Sequence, residues 1–552
     1  MKNIRLAMVI ACTLLGTAVV NAQSLYDAAR LMGNDLNGTA RFIGMGGAMG
    51  ALGGDISTMG TNPAGIGIYR SSDVMTSFGF SNIGMKSNMN GTKNEQDKLF
   101  GSFDNIGFVI SSRIGNETPL RFVNFGFNYR KVKSFDKNMV MNGMIEDKEG
   151  PMSQSDLFAT LSQGLPEDYL GSNAAFTDGG ADAAPWLGAM AFRTRVIGAI
   201  GDNKYASNVG YMVDNEGNEV YLPVVGEYTS RERGGLHSYD FNVALNFYDR
   251  IYLGATIGAY SVDYSRRSFY KESYPGDAST YSLENWFDTS GTGVDFKLGV
   301  IIRPFESSSF RIGAAIHTPT WFNLEDRASA IMTSDVDMNS DGTIDKDELY
   351  EYDTMDFPGE SKTKYELITP WKYNLSLGYT IGRSVALGAE YEYSDYSSAK
   401  LKYDDGVKME DETSQIKTGL KGVHTLRVGA EFKLAPEFSF RVGYNYMTAA
   451  MYDDTFKRIA LNSISTSTEF SNLKATNNYT VGLGYKGSVF YADLAYQFHT
   501  YKEDFYPFYN EIGDHFETIL VPNATKVTNT RSQVLLTAVS YTHLTLPTTP
   551  YV

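Results

Sequence analysis

Residues 120–130 read LRFVNFGFNYR, and the order alternates: Val123, Phe125, Phe127 and Tyr129 fall on one side of an extended chain, Asn124, Gly126, Asn128 and Arg130 on the other. The same pattern sets Phe241, Val243, Leu245 and Phe247 against Asn242, Ala244 and Asn246, and Val294, Phe296, Leu298 and Val300 against Asp295, Lys297 and Gly299. It sets Leu426, Val428, Ala430 and Phe432 against Arg427, Gly429, Glu431 and Lys433. One face of each stretch is oily and the other is wet. A half-buried soluble sheet alternates too, so the connections have to decide.

Strands are expected near 72–83, 103–112, 119–131, 236–248, 251–265, 291–302, 309–320, 365–381, 384–400, 416–434, 437–452, 474–487, 489–504 and 529–541. The joins after every second strand are short, at Gly115-Asn116, Asp249-Arg250, Pro304 to Ser308, Gly382-Arg383, Ala435-Pro436 and Ser488, while the alternate joins are mostly long and polar. An even strand number with short turns at one rim and long loops at the other predicts an all-β fold: a 14-stranded antiparallel transmembrane β-barrel, closed because an open edge in hydrocarbon leaves amides unpaired. Residues 132–235 interrupt the alternation. Leu157, Leu161 and Leu165 have helical spacing and 188–198 reads as helix or short strand, so this part of the 72–541 barrel is taken as a partly helical extracellular excursion.

The composition agrees. The 552 residues include 54 Gly, 37 Tyr and 32 Phe, only 20% are charged, and the net charge of -16 argues against nucleic acid as a partner. Lys2 and Arg5 precede an apolar run ending in Val20-Asn21-Ala22, which predicts a signal peptide over 1–22. The sole cysteine, Cys12, lies in that leader, so disulfides and thiolate chemistry are not expected in the exported chain. Past Ala22 no stretch is long and apolar enough for a membrane helix. At the other end, 542–552 (…HLTLPTTPYV) abandons the alternation and looks like foreign read-through.

Residues 46–67, GGAMGALGGDISTMGTNPAGIG, carry almost no charge. A dinucleotide fingerprint through Gly44, Gly46 and Gly50 fails because the third glycine is one position late and no βαβ unit follows. A flexible linker fits poorly, since Ala48, Met49, Leu52, Ile56 and Met59 are too apolar for solvent. The segment is expected to be packed, with Gly46, Gly47, Gly50, Gly53 and Gly54 keeping side-chain bulk low and Asn62-Pro63-Ala64 setting a turn.

That N-terminal stretch (SLYDAARLMGNDLNGTARFIGMGGAMGALGGDISTMGTNPAGIG), followed by NFGFNYRKVKSFDKN and TSGTGVDFKLGVIIRPFESSSFRIGAAIHTPTWFNLED, resembles the FadL/TodX family of outer-membrane transporters for hydrophobic compounds, in its Bacteroidetes form. The resemblance implies an N-terminal hatch (plug) over 23–71 that fills the lumen and carries Asn62, Pro63 and Ala64 close to the wall. It implies capture of a hydrophobic small molecule, of the long-chain fatty acid or aromatic hydrocarbon class, at the outer side, then an apolar pocket in the lumen and lateral release into outer-membrane lipid. The strand matched to the lateral opening is 119–131, with Phe125, Gly126 and Phe127 at the irregularity. No enzyme activity is expected: the histidines are dispersed and no nucleophile elbow occurs. A monomer in the outer membrane of a Gram-negative bacterium is the expected state, and a scaffold or secretion-associated barrel that binds exported proteins is the alternative function.

Two further expectations concern charge. Asp295, Lys297, Arg311, His317, Glu390, Glu392, Arg427, Glu431, Lys433, Arg441 and Asp493 face inward on these registers and are read as a paired, hydrated interior that holds the hatch. DMNSDGTIDKDE, residues 337–348, fills the twelve-residue calcium pattern with Asp337, Asn339, Asp341, Thr343, Asp345 and Glu348 as ligands and Gly342 at the tight turn. A structural Ca²⁺ in an extracellular loop is therefore expected.

Overall fold

The computed structural model describes residues 23–542 apart from 116, 179–182, 214–218, 339–341, 488–489 and 513–517. The leader and the residues from 543 onward lie outside this set.

The wall is a closed antiparallel ring of fourteen strands: β1 Ser72–Met89, β2 Thr92–Arg113, β3 Leu120–Ser134, β4 Val225–Phe247, β5 Ile251–Ser273, β6 Thr280–Ile302, β7 Arg311–His317 with Trp321–Asp335, β8 Ser361–Ile368 with Lys372–Ile381, β9 Val385–Asp395 with Lys400–Tyr403, β10 Gly422–Lys433, β11 Phe438–Met447, β12 Phe470–Lys486, β13 Phe490–Tyr506 and β14 Thr525–Thr542. β1 pairs with β14 from Ser72↔Thr542 to Asn88↔Lys526, which closes the ring. Strand β14 thus runs one residue into the stretch set apart as a tail, because Thr542 still has Ser72 opposite it.

Outward side chains divide each strand. On β4 Tyr239, Phe241 and Val243, on β5 Ile251, Leu253 and Ile257, and on β6 Val294, Phe296, Leu298 and Ile302 are exposed apolar groups. They form a band roughly 9–11 residues long, the length that crosses hydrocarbon at a tilt. Beyond the band the outward residues turn polar, as with Asp263 on β5 and Asn323 on β7, so the outer half of the barrel stands in water. A closed ring of strands with such a band is a transmembrane barrel, and barrels of this type occupy the outer membranes of Gram-negative bacteria.

The projecting skirt explains where the expected strands fell short. Residues 84–102 read as a long polar join, yet β1 and β2 continue through them to the tight turn at Asn90 (φ 46°) and Gly91 (φ 95°). The outward face there meets water, and although Met85 and Met89 pack inward against Met139 and Met141, β2 from Thr92 to Lys98 holds no apolar residue, so the apolar alternation that marks a membrane strand is missing. Three expected strands are broken at one level. Thr318-Pro319-Thr320 and Thr369-Pro370-Trp371 interrupt β7 and β8 because proline gives no amide to a ladder, and a short 3₁₀ turn at Tyr396–Ser398 interrupts β9. The breaks are stitched together: Thr318 N donates to Phe296 O at 2.9 Å and Thr369 N to Thr320 O at 3.1 Å. Residues 416–419, read as strand, end a helix, Glu410–Gly419.

The excursion between β3 and β4 forms a cap over the mouth. Its main helices, Gln154–Ser162 and Trp186–Arg193, bury Leu157, Phe158, Leu161, Leu187 and Met190 against Tyr281, Phe505, Phe508 and Tyr509 of the skirt and outer loops. One buried carboxylate ties cap to wall. Glu272 of β5, 0% exposed, accepts from Ser153 Oγ at 2.5 Å, Gln154 N at 2.9 Å, Tyr270 OH at 2.6 Å and Tyr274 OH at 2.9 Å. Asp156, in the first turn of the helix, is pushed up to about 6 by burial and then by the Glu272 charge. A carboxyl raised on folding stabilises the folded cap fully below its ordinary value of about 4, and the contribution is lost as pH rises through about 6. Limited proteolysis within 145–195 is therefore expected to be slower near pH 4 than near pH 7, and Asp156→Asn is expected to reduce that difference, the rest belonging to Glu272, which burial also raises.

Candidate functional site: the hatch and the lumen above it

Residues 23–71 lie inside the ring. Helix α1, Leu25–Met32, starts at Ser24, whose hydroxyl and Asp27 form a capping box. Helix α2, Ala40–Gly44, starts at Thr39. Two 3₁₀ turns follow, Ile56–Gly60 capped by Asp55 and Pro63–Ile68 capped by Asn62. Gly46 (φ 61°), Gly47 (φ 79°), Gly53 (φ 61°) and Gly54 (φ 69°) are left-handed, which a side chain resists. Gly50 instead makes room: its amide donates to Glu390 Oε2 at 2.9 Å.

The wall facing this segment is itself glycine. Gly378, Gly388, Gly429 and Gly443 are direct cross-strand neighbours on β8, β9, β10 and β11, and Gly254 opposes Gly299 on β5 and β6. A Cβ at Gly388 would stand less than 3.0 Å from Ala48 O, at Gly429 from Met45 O, at Gly443 from Gly46 N, and at Gly254 from Pro63 C and Ala64 N. Backbone lies against backbone around much of the ring. Asn62, fully buried, fastens the turn: its Nδ2 donates to Gly50 O at 2.9 Å and to Val300 O of β6 at 3.2 Å, and its Oδ1 accepts from Ala64 N at 3.2 Å.

Charge completes the attachment. Arg427 bridges Glu390 at 2.6 Å and Glu392 at 3.1 Å. Glu431 joins Arg41 of the hatch at 3.1 Å to Arg441 of the wall at 2.6 Å, and Lys297 pairs with Asp240 and Asp295. Arg311 donates to Leu52 O at 2.7 Å and His317 Nε2 to Thr61 O at 2.8 Å. The inward-facing charges are thus mutually paired or hold the hatch, with one departure: Lys433 is exposed at the rim.

Above the hatch two adjoining cavities form a stepped passage. The deeper, about 170 Å³, is lined by Asn34, Asp35, Arg130, Lys133, His317, Lys372, Glu392, Arg427, His499 and Arg531 among others. The outer, about 240 Å³, is lined by apolar groups such as Tyr26, Phe135, Met139, Met451, Phe470 and Phe505, together with charged ones of both signs, among them Arg30, Glu232, Arg266, Glu469, Lys474 and Glu503. Gly33, Lys133, Lys137 and Tyr396 border both. Among the described residues neither Lys133 nor Lys372 has a carboxylate at ion-pairing distance; Lys133 Nζ donates to Arg30 O at 2.7 Å.

The backbone ladder of the wall is interrupted at a seam, which side chains bridge: Asn90 Nδ2 donates to Met144 O at 3.2 Å and Lys98 lies 3.6 Å from Asp136. Phe125 and Phe127 face lipid and Gly126 faces inward, and all three are paired on both sides, Gly126 with Val109 and with Asn242. The irregularity expected there is absent because Gly126 serves as a seat for Met59, whose Cε occupies the space of its missing Cβ. The break lies farther out. The β2–β3 ladder ends at Asn105↔Arg130, whereas β2 continues to Thr92 paired only with β1, and the next segment, Lys137–Met144, pairs with β4. A narrow cleft of about 10 Å³ at this seam is lined by Ile83, Met85, Gln96, Asp97, Lys98, Lys137, Asn138 and Arg233, so a ligand leaving here has to part these side chains. Ile83 and Lys137 also line the deeper cavity.

In the calcium-pattern loop Asn339 and Asp341 lie outside the described residues. Gly342 (φ 84°) makes the tight turn and its amide donates to Asp337 Oδ2 at 2.7 Å. The Glu348 carboxylate accepts from Met338 N at 3.0 Å and Asp345 N at 2.9 Å, so it closes the loop from the far end. Thr343 lies directly after this turn, with its side chain at the surface. Among the described residues no three His, Cys, Asp or Glu side chains are grouped as a metal would require.

Of the cavity-lining groups, His317, Glu392 and Arg427 are among the inward-facing charges expected from the sequence, whereas most of the others are not. Lys133 falls on the oily parity of 120–130 and comes to line the lumen beyond a register shift between Lys131 and Lys133, while Lys372, Phe470 and Phe505 come from strands far apart in the chain, and only the ring brings them together.

These features define a class: a plugged outer-membrane barrel with an enclosed lumen and an outer seam. Solved structures with this fold include a Pseudomonas aeruginosa FadL homologue, at 13% identity and a TM-score of 0.51, covering 92% of this chain and 99% of that one. The Pseudomonas putida toluene transporter TodX aligns at 9% identity and a TM-score of 0.46, over 92% and 99% of the two chains, and the Ralstonia pickettii toluene transporter TbuX at 12% and 0.42, over 92% and 99%. No family model matches the chain, and no curated protein matches it. The resemblance read from the sequence thus holds at the level of the fold.

Proposed function

We propose that this barrel, acting as a monomer, takes up hydrophobic small molecules across the outer membrane. A ligand enters beside the cap, rests in the outer part of the lumen, and leaves the lumen sideways through the seam between β2 and Lys137–Met144, at the foot of the projecting skirt, from where it passes down into lipid. The observation that carries this reading is the stepped passage, richer in apolar and aromatic side chains above and mostly cationic among its charges below, that shares Ile83 and Lys137 with the seam. Each methylene moved from water into the oily part gains roughly 0.8 kcal/mol, so a chain-like ligand has reason to stop there. Lys133 and Lys372, without carboxylate partners, favour an anionic head, which sets the fatty-acid class above aromatic hydrocarbons.

Because Cys12 is the only cysteine, engineered thiols are free of background. Gln96→Cys with Asn138→Cys, placed across the seam, is expected to stop uptake of a radiolabelled long-chain fatty acid when oxidised and to restore it on reduction. Uptake that continues through an oxidised seam would rule out lateral release here.

For the loop at 337–348 we propose a structural Ca²⁺ of the weak extracellular kind, with a Kd of about 10⁻⁴ to 10⁻³ M. Asp337 and Glu348 at its two ends and the left-handed Gly342 suit such a site. Millimolar calcium is expected to slow proteolysis within 336–360, with the protection lost in Glu348→Gln; equal cleavage rates with calcium and with chelator would dismiss the ion.

A further inference from the structure

The first residues of the hatch carry an inference about how it is locked in place. Gln23 and Ser24 are 6% and 5% exposed, enclosed in the outer half of the lumen. Gln23 Nε2 donates to Asp326 Oδ2 of β7 at 3.2 Å. Asp326, 3% exposed, also accepts from Thr289 Oγ1 at 2.7 Å and Tyr365 OH at 3.3 Å. All three donors are neutral, and among the described residues no cationic side chain pairs with this carboxylate. The charged groups nearest to it do not help: Asp27 repels it, and Arg30 is committed to Asp27 at 2.9 Å and to the Tyr264 ring at 4.1 Å. A buried carboxylate without a cation is costly. Gln23 is also the first residue after the predicted leader.

We propose that removal of the leader after Ala22 creates an α-ammonium on Gln23 that seats against Asp326, so that processing supplies the missing cation. The inference rests on the export reading. The cut hydrolyses the Ala22–Gln23 amide: one water is consumed by the leader-removing endopeptidase, Ala22 keeps the carboxylate, and the Gln23 amine takes a proton. A free N-terminal glutamine ordinarily closes on its own side-chain amide, expelling ammonia to form a lactam. A protonated amine held on a carboxylate has no lone pair for that attack, so the seated terminus stays open.

The test uses the full chain expressed with its leader and purified from outer membranes in detergent. Mass analysis of the N-terminal peptide is expected to show a start at Gln23 with glutamine open. A start elsewhere would remove the export reading beneath the proposal, whereas a lactam at Gln23 would overturn the proposal alone. Competitive acetylation against pH gives the second readout. Burial without a partner lowers an amine's pKa and pairing raises it, so the wild-type α-amine is expected to titrate at least one unit above the ordinary 7.7–8.0 and to react about tenfold more slowly near pH 8 than a free peptide amine. Asp326→Asn is expected to abolish that protection while Glu325→Gln, on the outward face, keeps it. Should Asp326→Asn fail to give a heat-modifiable barrel, one glycine inserted before Gln23 displaces the amine instead. A wild-type α-amine that titrates at or below the ordinary value overturns the proposal whatever the variants do.

Discussion

Replacing Gly443 by leucine is expected to leave the wall able to close and the hatch unable to seat. A Cβ at this position would stand less than 3.0 Å from Gly46 N and Met45 C, which are backbone atoms with no flexible side chain to yield. Gly46 cannot retreat easily, since it is left-handed and its own Cβ position lies 2.7 Å from Tyr444 N. Overpacking in ordinary cores costs about 1–3 kcal/mol because side chains shift; here a main-chain segment from Met45 to Leu52 would have to lift off four strands together. The expected result is a folded barrel with a displaced plug, seen as ion conductance across a planar bilayer and as new cleavage between 46 and 54. Val442→Leu, facing lipid one residue away, is expected to conduct as wild type does. A non-conducting Gly443→Leu barrel with a protected hatch would mean that the close wall contact is not what seats the segment.

The second large effect is expected from Arg427→Ala. Glu390 is 1% exposed, and with Glu392 it depends on this guanidinium. Removing one partner of a buried pair leaves uncompensated charge and costs about 3–5 kcal/mol. Glu390 also accepts the Gly50 amide at 2.9 Å, so the loss falls on the hatch as well as the wall. A lower temperature for loss of the compact band on unheated gels, together with intermittent conductance, is the expected readout. Arg427→Met combined with Glu390→Gln and Glu392→Leu is expected to regain most of the loss, because no buried charge is then left alone. If the single variant matches wild type in both measurements, the lumen charges do not hold the hatch.

Much of the ring was legible in the sequence. A strand crossing hydrocarbon must present apolar groups at every second position, and Phe241 to Phe247 or Val294 to Val300 can be read in no other register. That constraint stops at the membrane surface, which is why 84–102 passed for a loop and why β4 was expected to begin at 236 rather than Val225. The hatch announced itself through glycines beside Met49, Ile56 and Met59, residues that water does not favour. Its partner row did not, since Gly378, Gly388, Gly429 and Gly443 each look like ordinary wet-face residues until the registers bring them side by side. Gly126 shows the opposite error: a lone glycine in a strand has two physical uses, a bend or a close neighbour, and only the position of Met59 decides between them.

The bare stretch of wall behind residues 45–52 carries an evolutionary consequence. On the lipid side of β8 to β11, one branched aliphatic can be exchanged for another at little cost, because fluid acyl chains adapt to any shape. On the opposite side of the same strands even a single methyl group has nowhere to go. Variation along these four strands should accordingly be lopsided, drifting freely on one face and frozen on the other, and any lineage that gained bulk on the frozen face would have had to redesign its plug in the same step.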